Sequence, residues 1–176
     1  MEWLSEKPDV IFLGQAVGCA GTSMSNTLRD VPQEKRLELP VFEETQLGMS
    51  LGMSLNGFCP VSIFPRWNFL MCAMSQLVNH VDKYPFLSGF KNRVIIRVGI
   101  GSVIPLDPSH MHKYDFTEAV KMMCKTVRVK KLEKSEEIFE EYKRAYESDF
   151  SSVLVEVSDF FNDSFYRNYK NFNHCQ

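Results

Sequence analysis

The sequence predicts an α/β fold: a mainly parallel sheet flanked by helices on both faces. Two observations predict it. Short apolar runs alternate along the chain with segments of helical period, the order that builds helix-covered parallel sheets. No internal repeat and no linker interrupts that alternation over the first 162 of 176 residues, so one domain is expected.

The elements follow in order. Residues 10–13 are an apolar run ending in Gly14, the pattern of a short buried strand. Residues 22–29 read as a helix, broken at Val31-Pro32, because proline disfavours helical backbone in the residue before it. Residues 36–40 read as a second strand, closed by Pro40. Over 44–55, Leu47, Leu51 and Leu55 recur every four residues with Met49 and Met53 beside them. With most of its sides apolar, this helix is expected to be buried. Gly48, Ser50, Gly52 and Ser54 permit close packing, and Asn56-Gly57 stops the helix.

Residues 61–64 read as a strand. Residues 68–82 carry a helical period in Phe69, Cys72, Ala73, Leu77, Val78 and Val81, ended by Tyr84-Pro85. Residues 93–98 are the clearest strand, followed by a loop with Gly99 and Gly101. A helix over 116–124 and a strand over 127–132 come next. A helix over 135–147 opens on Ser135, a capping residue type, with acids early, where the helix dipole favours them. A last strand spans 152–157. Residues 163–176 form a polar and aromatic tail.

Composition narrows the function. The chain is 44% hydrophobic and 24% charged, with a net charge of −2. It has no basic field to draw nucleic acid or anionic lipid. No apolar run approaches the roughly 20 residues that span a bilayer, and the N-terminus lacks a signal pattern. The five cysteines (Cys19, Cys59, Cys72, Cys124 and Cys175) are odd in number and form no CxxC pair. That usage fits a reducing, cytoplasmic compartment, without a disulfide framework or a zinc site.

Ligands of parallel α/β sheets bind beyond the carboxyl ends of the strands. Three segments fall there: 39–48, 64–69 and 99–115. Glu43 opens the apolar helix, either as an ordinary first-turn acid or as a catalytic carboxyl. Phe64, Trp67 and Phe69 read by default as core aromatics. His110 and His112 would share a face in a strand, but no third ligand is spaced closely, so no metal site is expected. Gly99-Ile-Gly101 lacks the third glycine of a dinucleotide fingerprint.

Taken in order, several of these stretches resemble one family. They are Leu39-Pro-Val-Phe-Glu-Glu-Thr-Gln-Leu-Gly-Met-Ser-Leu-Gly52, Gly57-Phe-Cys-Pro-Val-Ser-Ile-Phe64, Phe69, and Gln76-Leu-Val-Asn79. The pattern resembles the beta subunits of 2-oxo acid dehydrogenases and, more broadly, the pyrimidine-binding (Pyr) domain of transketolase-like, thiamine-diphosphate enzymes. The opening strand, Val94-Ile-Ile-Arg97 and Val153-Leu-Val-Glu156 fit the same order, so the resemblance covers about residues 9–160.

The resemblance implies that Glu43 is the catalytic glutamate, promoting cofactor C2 deprotonation through the aminopyrimidine ring. It implies that Phe69, with Phe64, packs on that ring, and that His112 is the active-site histidine. Lys113-Tyr114 stand where the family usually has Ser-Gln. Such a carboxyl needs a dry site, which Phe42 and the apolar helix are expected to supply. The family's GDG-type motif for Mg²⁺ and diphosphate is absent from the sequence, as is its C-terminal domain. The resemblance therefore implies a split enzyme acting on a small-molecule 2-oxo acid or ketose. A separate alpha-like subunit would bind the diphosphate and Mg²⁺, in a heterotetramer or around a homodimer core. The alternative is a non-catalytic binding or assembly subunit with the same fold.

Overall fold

The structure, a computed structural model, describes residues 1–19, 23–101 and 109–157. The tail at 163–176 lies outside them. Six strands form one all-parallel sheet: β1 (Val10–Gly14), β2 (Arg36–Glu38), β3 (Cys59–Phe64), β4 (Ile95–Ile100), β5 (Arg128–Leu132) and β6 (Ser152–Val157), in the order β2-β1-β3-β4-β6-β5. The α/β reading holds, and the sheet is parallel throughout.

Helices cover both faces. Short α1 (Glu2–Ser5) and α2 (Ser23–Asn26) and the longer α7 (Ser135–Glu147) pack on one face, against Phe12, Ile63, Ile95 and Leu154. On the other, α3 (Glu43–Leu55), α4 (Trp67–Met71) and α6 (Thr117–Met123) pack against Phe64, Ile96, Val98 and Val155. A short α5 (Tyr84–Ser88) precedes β4. No helix among the described residues is long and apolar enough to cross a membrane.

Several boundaries differ from the sequence reading, each for a local reason. The clear strand begins at Ile95, not Arg93, because the N–H groups of Arg93 and Val94 donate to the side-chain oxygens of Ser54 and Ser151 instead of to a ladder. The helix expected over 68–82 is broken. Cys72 and Ala73 bond three residues back, and Asp82 bonds five back, to Leu77. The result is α4, a turn, and a π-helical segment over Gln76–Val81. The burial line Trp67, Leu70, Ala73, Leu77, Val81 survives the break. Pro85 does not simply end a helix; it sits in the first turn of α5, where its missing N–H costs nothing. Ser135 does not cap α7. Glu137 does, by accepting the N–H groups of Glu133 and Lys134.

The helix at 43–55 is buried on one face only. Gln46, Leu47, Ser50, Leu51 and Ser54 are covered, while Met49 is exposed and a side chain at Gly52 would meet open space. The lysines of edge strand β5 are ion-paired, Lys130 with Glu137 at 3.0 Å and Lys131 with Asp115 at 2.9 Å. Charge on an edge strand also blocks pairing with other chains.

Candidate active site

The strand order places a topological switch between β1 and β3. From β1 the chain passes to β2 on one side and then returns to β3 on the other. The crevice beyond the carboxyl ends of two such strands is where open α/β sheets bind ligands. A recess lies there, lined by Gln15 after β1, by Ile63, Phe64, Pro65 and Phe69 at the end of β3, and by residues from Pro40 to Gln46. It is shallow and opens to solvent, with a cavity volume of about 10 Å³, far below the roughly 300–1,000 Å³ of a complete small-molecule site.

Local chemistry fixes the walls. Gly14 has φ +149, and a Cβ there would lie 2.5 Å from the carbonyl oxygen of Ile63. Only glycine lets β1 end this close to β3. The next loop turns at Ala16 (φ 58) and is tied down by Glu38, whose carboxylate accepts the N–H groups of Ala16 and Gly18 at 2.6 Å each. On the far wall, buried Gln46 donates to Ser62 Oγ and to the Ile63 carbonyl, both at 3.0 Å. That pair of bonds bolts the first turn of α3 to the end of β3. Glu43, one turn earlier, is thereby held at the mouth of the recess.

The carboxylate of Glu43 is half-buried and makes no hydrogen bond or ion pair among the described residues. Phe42 before it has no capping side chain and is itself half-exposed, and Val41 is 62% exposed. Among the described residues, Phe42 and the apolar helix do not enclose Glu43 in the dry surroundings expected of them.

Phe64 and Phe69 both line the recess; Phe64 is buried and Phe69 half-buried. His112 reaches the same place from another part of the chain. Its ring lies 5.7 Å from that of Phe69, tilted by 33°. Its Nδ1 is 2.9 Å from Asn68 Oδ1. With that oxygen as acceptor, Nδ1 carries the proton and Nε2 is free to exchange one. His110 and His112 stand in a 3-10 turn, not in a strand, and no metal-binding cluster occurs among the described residues. Part of the predicted 99–115 loop, residues 102–108, lies outside them.

Of the four residues expected from the sequence, Glu43, Phe64 and Phe69 line one recess, and His112 stands beside Phe69. Reading the sequence missed Gln15, Gln46 and Asn68. Only Gln46 carried a signal: a lone amide on the apolar side of α3, three residues after Glu43.

No family model matches the chain. Among curated proteins it is similar to the pyruvate dehydrogenase E1 component subunit beta of several organisms. It is 34% identical over 91 residues to the mitochondrial protein of Chaetomium thermophilum, an alignment covering 50% of this chain and 24% of that protein. With the Chaetosphaeridium globosum protein it is 29% identical over 107 residues, covering 58% and 32%. The matched region spans a third or less of these relatives.

Solved structures extend the likeness to most of the chain. A split-gene transketolase, in an inactive beta4 tetramer, superposes with a TM-score of 0.68 at 16% identity, covering 87% of this chain and 46% of that one. The chain has the transketolase-like, thiamine-diphosphate-enzyme fold. A protein from Mycobacterium smegmatis described as a thiamin diphosphate-dependent enzyme agrees, with a TM-score of 0.60 at 17% identity over 85% of this chain and 27% of that one.

Proposed function

We propose that the chain is the pyrimidine-binding subunit of a split thiamine-diphosphate enzyme acting on a 2-oxo acid or ketose. The observation that carries the reading is the unpaired Glu43 carboxylate, fixed through Gln46 over the switch point beside two aromatic rings. The residues suit the group. Phe64 and Phe69 offer apolar faces to a flat heterocycle, and a carboxyl with no internal partner is free to bond a ring nitrogen. When bound, thiamine diphosphate supplies a nucleophilic carbon at C2.

The chain's own residues then have separable tasks. Glu43 holds or moves a proton at the aminopyrimidine nitrogen facing it. Phe69 sets the ring plane and excludes water from one side. His112, oriented by Asn68, presents Nε2 to substrate as a proton donor or acceptor. In this reading, Mg²⁺ and the diphosphate are held by an alpha-like partner chain. That partner would also cover the recess and desolvate Glu43. The split-gene transketolase, inactive as a beta4 tetramer, supports an arrangement in which this type of chain is inactive alone. A heterotetramer follows from the same analogy. The free cysteines Cys19, Cys59, Cys72 and Cys124 accord with a reducing compartment.

Calorimetry tests the split site. The isolated chain is expected to bind thiamine diphosphate with Mg²⁺ only weakly, and tightly once the partner is added. Tight, Mg²⁺-dependent binding by the isolated chain would overturn the proposal.

A further inference from the structure

Arg66 stands in the turn between β3 and α4, at the carboxyl edge of the sheet. Its neighbour Pro65 lines the recess, and Asn68, two residues on, holds the His112 ring. The turn is fixed from below, since a Cβ on Gly99 of β4 would lie 2.5 Å from the Pro65 carbonyl oxygen. The Arg66 side chain is half-buried, yet it makes no hydrogen bond, ion pair or ring contact among the described residues.

That state is costly. Arginine stays charged in proteins and has five N–H donors to satisfy, and partial burial here pushes its pKa down. Three other buried or half-buried arginines of the sheet and its edges have carboxylates: Arg97 has Glu156, Arg93 has Asp9, and Arg128 has Glu141; Arg36, on edge strand β2 away from the recess, has none. Arg66 has none, and Glu43 at the same edge is equally unpaired. Two unpaired opposite charges thus stand at this edge of the sheet, Glu43 in the lining of the recess at the start of α3 and Arg66 next to the lining residue Pro65 on the turn after β3.

We propose that Arg66 is an anion-recognition residue, whose guanidinium takes the carboxylate of a 2-oxo acid or the phosphate of a phosphorylated ketose. The planar fork of donors matches either group in two-point fashion. The inference deepens the functional reading above, because the anion's position would orient the carbonyl of a substrate between Arg66 and the Glu43 side of the recess.

The test needs no cofactor or partner. The full chain, labelled with ¹⁵N, is titrated at low ionic strength with sodium pyruvate and, separately, with sodium phosphate, following the arginine Nε–Hε and Asn68 side-chain signals. Saturable shifts at Arg66 are expected, with a millimolar dissociation constant. Pyruvate alone saturating the site would indicate the carboxylate, and phosphate alone the phosphorylated sugar. Saturation by both would support the shared anion chemistry. Arg66→Gln should weaken binding by about tenfold or more, and Arg66→Lys should retain part of it. Arg144→Gln, an exposed change on α7, should change nothing. Absence of saturation by either anion, or unchanged binding in Arg66→Gln, would overturn the inference. Either result would leave the Glu43 reading standing, because that reading is tested by cofactor chemistry.

Discussion

Glu156→Gln is predicted to be among the most destabilising single changes in this chain. Arg97 and Glu156 are on neighbouring strands β4 and β6, with side chains 1% and 2% exposed. Arg97 Nε lies 3.0 Å from both carboxylate oxygens, and Nη2 lies 2.6 Å from one of them. Tyr142 of α7 donates to the same carboxylate at 2.5 Å, and Arg97 Nη1 donates to Thr27 at 2.8 Å, just after α2. One buried pair thus ties two helices to the sheet. Its neighbours hold the Arg97 charge firmly, raising its pKa despite burial. Removing the negative charge leaves that cation uncompensated, which costs about 3–5 kcal/mol. A small domain has about 5–15 kcal/mol of stability in total. With a urea m-value of about 2 kcal/mol/M, the midpoint should fall by roughly 2 M. The double variant Arg97→Met with Glu156→Leu should recover most of the loss, since no buried charge is left alone. Equilibrium urea unfolding of the full chain, followed by circular dichroism, measures both. A loss under about 1 kcal/mol for Glu156→Gln would refute the reasoning, because the pair would then not be shielded from water.

Two further predictions concern anchoring and pH. Asp82, at the end of the π-helical segment, accepts the N–H groups of Lys125, Thr126 and Val127 through one oxygen, and is 1% exposed. Asp82→Ala leaves those donors without an acceptor and should cost about 3 kcal/mol or more in the same assay; a neutral result would mean water replaces the carboxylate. Glu137 has its pKa lowered to about 2, first by its bond with Lys130 and then by the N–H of Glu133. A depressed carboxyl stabilises the fold above its unfolded pKa, and that contribution is lost as pH falls through the folded value. The stability gap between wild type and Glu137→Gln should therefore be constant above about pH 5 and shrink toward pH 2. A gap that does not change over that range would contradict the assignment.

Most of the fold was legible because its four central strands are short, largely apolar runs, and α3 and α7 carry plain helical signals. What was hidden depends on contacts distant in sequence. The start of β4 is set by serines 54 and 151, which take over its first N–H groups. The break after Met71 leaves the apolar period intact, so no pattern of residue types could show it. At the candidate site, Glu43, Phe64, Phe69 and His112 were singled out through their order along the chain. Their assembly needs Gly14, Gln46 and Asn68, whose contacts exist only once the sheet has formed. The dryness expected around Glu43 is not supplied by the described residues, since Phe42 is half-exposed and Val41 exposed.

Catalysis by the proposed complex depends on Glu43 exchanging a proton with the pyrimidine of the cofactor. Its most direct test is the rate of C2 proton exchange of thiamine diphosphate, followed by NMR in the complex of this chain with its diphosphate-binding partner. Glu43→Gln is expected to slow that exchange by about 10²–10⁴-fold. Exchange at the wild-type rate in that variant, with cofactor still bound, would contradict the claim.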